Sequence, residues 1–157
     1  MLAPSKSLIV RGAMSDQDAV EIHKLLMLMG QEVAVVPVDP IVVMEDIYSL
    51  INEPSKGAFL MAVKGTQLIG VMGLENTRYR YSRETCIREV YLFVHPEHRN
   101  GDVLGALLNE ARAIADMAEK ELYVTIANHN RRRGKAAKVA ELLRYQPFGS
   151  IYAFSRN

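Results

Sequence analysis

Apolar and polar positions change their period several times along the chain, and each change marks an element. Leu8-Ile9-Val10-Arg11 is a short apolar run and predicts a first strand. Ala19, Val20, Ile22, Leu25, Leu26 and Met29 then recur at helical spacing. Ser15 stands ahead of them as a cap with acidic Asp18 three residues on, and Gly30 is the predicted stop. Met27 and Met29 read as flexible core filler before they read as cleft lining. Residues 31–38 predict a short packed loop. Asp39-Pro40 starts a second helix, with Asp39 as cap and proline in the first turn, and the helix runs to about Asn52. The apolar runs 58–64 and 67–74, joined through Gly65-Thr66, predict a hairpin. Residues 75–84, ENTRYRYSRE, are a polar connection.

The stretch 88–108, REVYLFVHPEHRNGDVLGALL, organises the rest. Its apolar, β-branched and aromatic start ends a buried strand over 85–94. Pro96 stops the ladder because it has no N–H to donate. After a charged turn, Val103, Leu104, Leu107, Leu108, Ala111 and Ile114 space out a helix from Asp102 to about Glu119, with Asp102 as its expected cap. A strand feeding such a turn into a helix presents unpaired N–H groups at a positive dipole end, where anions bind. Glu121 to Ala127, ELYVTIA, predicts another buried strand, parallel to the one before the helix because a crossover separates them. A last helix over about 134–145 and a strand over 149–154 complete an expected single α/β domain spanning 1–157. Its sheet is mixed, mostly antiparallel and flanked by helices.

Composition narrows the function classes. A formal net charge of +1 gives no global basic field for nucleic acid. The groups Arg78–Arg83 (with Tyr79 and Tyr81) and Arg131–Lys135 therefore read first as solvated faces, and nucleic-acid binding is the least favoured class. Cys86 is alone, so no internal disulfide can form and a reducing compartment fits. No run has bilayer length and no signal-peptide core opens the chain, so no membrane and a cytoplasmic location are expected. His95 and His98 lie three apart without further acidic or cysteine partners at metal spacing, and no metal is expected. Neither Ser150 nor Cys86 sits in a nucleophile motif.

V-H-P-E-H-R at 94–99, with Ala106, Leu107 and Leu108 beyond it, resembles the acetyl-CoA-binding segment of the GNAT N-acetyltransferases. The resemblance implies a GNAT-like acyl-CoA N-acyltransferase fold, with two helices between the first two strands walling an acceptor cleft. It implies acetyl-CoA as acyl donor and transfer to a primary amine, small-molecule or protein, by direct attack in a ternary complex. Arg99, Asn100, Gly101, Asp102, Val103, Leu104 and Gly105 take the place of the pyrophosphate turn. The backbone of Leu92, Phe93 and Val94 takes that of the strand along the pantetheine arm, with Phe93 or Val94 as oxyanion donor. Asn128 or Asn130 matches an asparagine that contacts the cofactor. Glu89 on the strand and Glu75 in the preceding turn are candidate bases, Glu89 being the leading one.

The sequence also departs from the pattern. Two turn glycines of the family fall on Asp102 and Leu104, while Gly101 and Gly105 are each displaced by one position. Either the Asp102 carboxylate turns back to cap the helix, or pyrophosphate binding is weakened. The position of the family's acidic tyrosine falls on Leu143, with Tyr145 two residues on and Pro147 before Phe148. A different acyl donor is one alternative. Another is a non-catalytic CoA-binding or structural module that keeps the fold. The family's further last strand is expected to be missing, swapped from a partner chain or not needed, and a missing strand would leave an edge that invites a homodimer.

Overall fold

The computed structural model describes residues 7–34, 36–126 and 134–149. Five strands form one sheet in sequential order: β1 (Leu8–Gly12), β2 (Gly57–Lys64), β3 (Gln67–Arg78), β4 (Thr85–Val94) and β5 (Leu122–Tyr123). The first three junctions are antiparallel and β4–β5 is parallel, as the intervening helix requires. The helices are α1 (Asp16–Val33), α2 (Pro40–Asn52), α3 (Asp102–Ala118) and α4 (Lys135–Leu142), with a 3₁₀ turn at Pro96–His98. Among the described residues no helix is long and apolar enough to cross a membrane.

Local chemistry accounts for the helix starts. Ser15 Oγ accepts the Asp18 N–H at 3.1 Å, and Asp39 Oδ1 accepts Ile41 N–H at 2.9 Å and Val42 N–H at 3.4 Å. Gly30, expected to end α1, lies inside it. A Cβ there would stand 2.6 Å from Val38 Cγ2, so this glycine admits the returning loop. The hairpin strand β3 also runs past its expected end to Arg78. Glu75 pairs with Arg88 and Thr77 with Cys86, so Glu75 belongs to a strand and not to a turn. By contrast β5 keeps only two residues of its expected run. The expected strand over 149–154 lies outside the described residues beyond Gly149, as do Asn128 and Asn130.

The sheet is covered on both faces, which is why its strands read as continuous apolar runs instead of alternating ones. On one face Leu60, Ala62, Met72, Leu74 and Ile87 pack against Val103, Leu107, Leu108 and Ala111 of α3. On the other, Phe59, Met61, Val71 and Phe93 meet Ala19, Ile22 and Leu26 of α1 and Ile47 of α2. Helix α3 sits hard on the sheet: a Cβ at Gly70 would stand 2.7 Å from Val103 Cγ1. Two irregularities bend the sheet. Ala62 pairs with Gly70 but Val63 with Leu68, and Gly73 pairs with Tyr91 but Leu74 with Glu89. Ile69 and Val90 are therefore extra residues, bulges that increase the local twist.

One ion pair ties β1 to α1. Arg11 donates to Asp18 Oδ2 at 2.9 Å and to Oδ1 at 2.8 Å, and Met14 N–H donates to Oδ2 at 2.9 Å. Asp18 is only 8% exposed, and the Arg11 guanidinium holds its carboxyl well below the usual carboxylate range. The unfolded chain thus binds this proton at a pH where the folded chain refuses it. The stabilisation is present at neutral pH and is lost as pH falls below about 4, the ordinary aspartate value. Asp18→Asn is expected to cost about 1.5–3 kcal/mol at pH 7, the range for a hydrogen bond to a charged group. The variant should also show a shallower loss of stability between pH 4 and pH 2, read by urea unfolding along a pH series. An unchanged acid profile would refute the linkage.

Candidate functional site

The site begins where β4 loses one neighbour. Ile87 N–H donates to Glu121 O at 2.9 Å, and Arg88–Tyr123 is the last β4–β5 pair. At the other end of the strand, His95 N–H donates to Ile69 O at 2.8 Å, on the β3 side. Successive backbone groups of a strand alternate in direction, and these two bonds fix the phase on either side of the Val90 bulge. Tyr91, Phe93 and His95 direct their amides to β3. Leu92 and Val94 direct theirs to the open side, where no strand pairs with them among the described residues. Of the two expected oxyanion donors, Val94 thus faces the gap and Phe93 does not.

Glu89 stands at the point of separation. Its Oε2 accepts the Thr125 N–H at 3.1 Å, so a side chain bridges the gap where a ladder bond would otherwise continue. Burial pushes its carboxyl up from the ordinary glutamate value, opposed by the Thr125 N–H and by Arg88. Glu75, the other candidate, accepts Arg88 Nη2 at 3.0 Å and lines a cavity of about 300 Å³ on the α2 face. Asp46, Ser49, Asn76 and the bulged Val90 line the same cavity. Asp46 in turn accepts the Tyr91 hydroxyl at 2.8 Å. A larger depression, about 600 Å³, lies along α2 between His23 and Glu53 and touches no residue of β4 or of the turn.

The turn before α3 is built differently from expectation. Asp102 is not the cap. Gly101 takes that place in the left-handed region (φ 94°), and its carbonyl accepts Gly105 N–H at 2.9 Å. Asn100 Oδ1 accepts the Asp102 N–H at 3.1 Å. Val103 and Leu104 are then first-turn residues whose N–H groups have no acceptor within the helix, the donor arrangement suited to an anion. The displaced Gly101 is needed for its φ. At Gly105 a Cβ would merely touch Val139 Cγ1 of α4 at 3.6 Å.

Arg99 is committed elsewhere. Its Nη1 and Nη2 donate to Glu32 at 2.6 and 2.8 Å, its Nε to Val94 O at 2.9 Å, and its guanidinium lies 5.1 Å from the Phe93 ring centre. Glu32 was not foreseen, because a helix ending at Gly30 leaves it in a loop. Lys135 is a second unforeseen neighbour, donating Nζ to Arg99 O at 3.2 Å. Tyr145 donates its hydroxyl to Leu108 O at 2.7 Å, and burial pushes its pKa up to about 12.

No family model matches the sequence, and no curated protein sequence does either. Solved structures do match. A ribosomal-protein-alanine N-acetyltransferase from Brucella melitensis superposes with a TM-score of 0.68 at 18% identity, over 96% of this chain and 99% of that one. The aminoglycoside 6'-N-acetyltransferase AAC(6')-Ih from Acinetobacter baumannii gives a TM-score of 0.69 at 16% identity, over 96% and 99%. A possible acetyltransferase from Clostridium difficile 630 gives 0.70 at 16% identity, over 96% and 98%. The fold is that of the GNAT acetyltransferases. At these identities the likeness establishes the GNAT architecture and leaves chemistry to the residues.

On this GNAT scaffold the burial of Glu89 favours a carboxyl that holds its proton more firmly than an ordinary glutamate. Carboxyl-carbon NMR is expected to show the Glu89 resonance, identified by its loss in Glu89→Gln, titrating above the ordinary glutamate value. Titration of that resonance at or below the ordinary value would contradict the burial of this side chain.

Proposed function

We propose that the protein is an acetyl-CoA-dependent N-acetyltransferase acting on a primary amine. One observation carries this reading. The β4 edge bearing the Leu92 and Val94 amides, which no strand pairs with among the described residues, runs directly into a turn whose Val103 and Leu104 N–H groups await an anion. A pantetheine arm hydrogen-bonds along such an edge, and a pyrophosphate suits such a helix start. Bound acetyl-CoA supplies the thioester carbonyl. Lys135, beside the turn, adds a cation for the phosphates, while Arg99 acts through Glu32 to hold the turn in place.

Catalysis then rests on few groups. The Val94 N–H offers a fixed donor toward the gap for negative charge developing on the carbonyl oxygen. Glu89, with its raised pKa, takes the proton that the attacking amine loses. Asp46, Ser49, Glu75 and Asn76 give the cavity beside Val90 acceptors and donors for an amine-bearing molecule. The named acceptors of two structural neighbours, a ribosomal-protein alanine and aminoglycosides, are both amines. Tyr145 is excluded as a free acid by its bond to Leu108 O.

Calorimetric titration with acetyl-CoA, and separately with CoA, tests the reading. Micromolar binding of both is expected, several-fold tighter in Asp102→Asn, which removes a like charge near the phosphates. An amine screen with the intact protein should find turnover that Glu89→Gln lowers about 10²–10⁴-fold in kcat, the usual range for a general base, with cofactor affinity unchanged. Absence of binding to either nucleotide would sink the proposal. Binding without turnover of any amine would favour the non-catalytic CoA-binding module.

A further inference from the structure

We propose that the turn between β4 and α3 is a binding site for a divalent transition-metal ion, with His95, Glu97 and His98 as its protein ligands. One ligand atom from each of the three lies within 4.8 Å of the others. Zinc–nitrogen and zinc–oxygen bonds of about 2.0–2.2 Å put two ligands of one ion roughly 3.2–4.2 Å apart, so small side-chain rotations close the set. The two imidazole rings stand at 69° with centroids 5.7 Å apart. Rings tilted in this way can turn nitrogen lone pairs toward a common point, which stacked rings cannot.

The backbone beneath the three is already fixed. His95 N–H is bonded to Ile69 O at 2.8 Å and His98 N–H to His95 O at 2.9 Å, and Pro96 locks φ between them. Ion binding therefore orders little more than three side chains. His95 Nδ1 accepts the Glu97 N–H at 3.2 Å. The ion either takes that lone pair or turns the ring over, in each case displacing one long hydrogen bond. Arg99, the adjacent cation, has both terminal nitrogens on Glu32, so its charge is offset. The histidines are half-buried and Glu97 is exposed, which leaves the set open to ions from solution.

The donor set selects the metal. Two imidazoles with one carboxylate suit Zn²⁺, Co²⁺ and Ni²⁺, whereas Mg²⁺ and Ca²⁺ require more oxygen ligands than this turn offers. Three protein ligands leave a fourth position to water or an anion. Sequence reading missed the site because the acidic partner lies between the two histidines, inside a run that looked like an ordinary charged turn.

Cobalt titration of the intact chain, followed by visible absorption, tests the site without reference to acetyl transfer. One equivalent of Co²⁺ is expected to give ligand-field bands. An equivalent of Zn²⁺ should abolish them, and a hundredfold excess of Mg²⁺ should leave them. His98→Ala and Glu97→Gln should each weaken binding at least tenfold, with far-UV circular dichroism unchanged. Glu97→Gln alters charge without removing bulk, so it keeps the test valid if His98→Ala disturbs the turn. Absence of bands, or affinity retained in Glu97→Gln, overturns the three-ligand site.

Discussion

The described part of this molecule depends on β4 having two neighbouring strands as far as Arg88 and, among the described residues, one thereafter. Backbone groups on that side must turn to side chains or solvent, as Val94 O does to Arg99 Nε, and the strand must be held rigid by packing. Here two cores do so. Ile87, Leu92 and Val94 face α3, and Phe93 is locked between β3 and α1, so the half-paired stretch is clamped from both faces. The bulge at Val90 restores the alternation on the far side, so that Leu92 and Val94 present their amides outward. Glu89 sits at the fork and its carboxylate accepts the Thr125 N–H, which keeps the departing chain near without closing the ladder.

The turn that follows solves a conflict of charge. Asp102, Glu97 and Glu32 all lie near the helix start proposed to take the phosphates. Glu32 is neutralised by the bidentate pair with Arg99, which also ties the end of α1 to the end of β4. Lys135 reaches over from α4 to the Arg99 carbonyl. Gly101, in the left-handed region, sets the direction of α3 and leaves the Val103 and Leu104 N–H groups pointing out of it. The positive character of this turn thus comes from backbone and lysine, and Arg99 acts as a fastener.

Elements with strong periodicity or cap chemistry were legible in the sequence. Ser15 and Asp39 cap where expected, the Gly65-Thr66 hairpin forms, and the helix crossover makes β4 and β5 parallel. Features decided by contact across the fold were not. Gly30 looked like a helix stop because only the distant Val38 explains it. The glycine displacement looked like a defect because a left-handed φ at Gly101 cannot be read from composition. Glu75 read as a turn residue because polar strand ends resemble loops when the partner strand is unknown. The choice between Phe93 and Val94 needed the phase that two hydrogen bonds supply. Asn128 lies outside the described residues, so that position stands on resemblance alone.

The engagement of the Tyr145 hydroxyl by the Leu108 carbonyl changes less than it first implies. Acyl transfer from a thioester moves two protons of very different difficulty. A thiolate is a far more stable anion than an alkoxide or amide ion, so it can leave without being protonated in the same step. An alkylammonium acceptor near 10.4 must lose its proton before it can attack. The demanding transfer is therefore the one proposed for Glu89, whose burial raises its basicity, and the less demanding one is that of the tyrosine missing at Leu143. Tyr145 can then be spared for fastening α4 to the Leu108 carbonyl of α3. That bond helps hold Val139 over Gly101 and Gly105, so a residue lost to acid chemistry still shapes the turn.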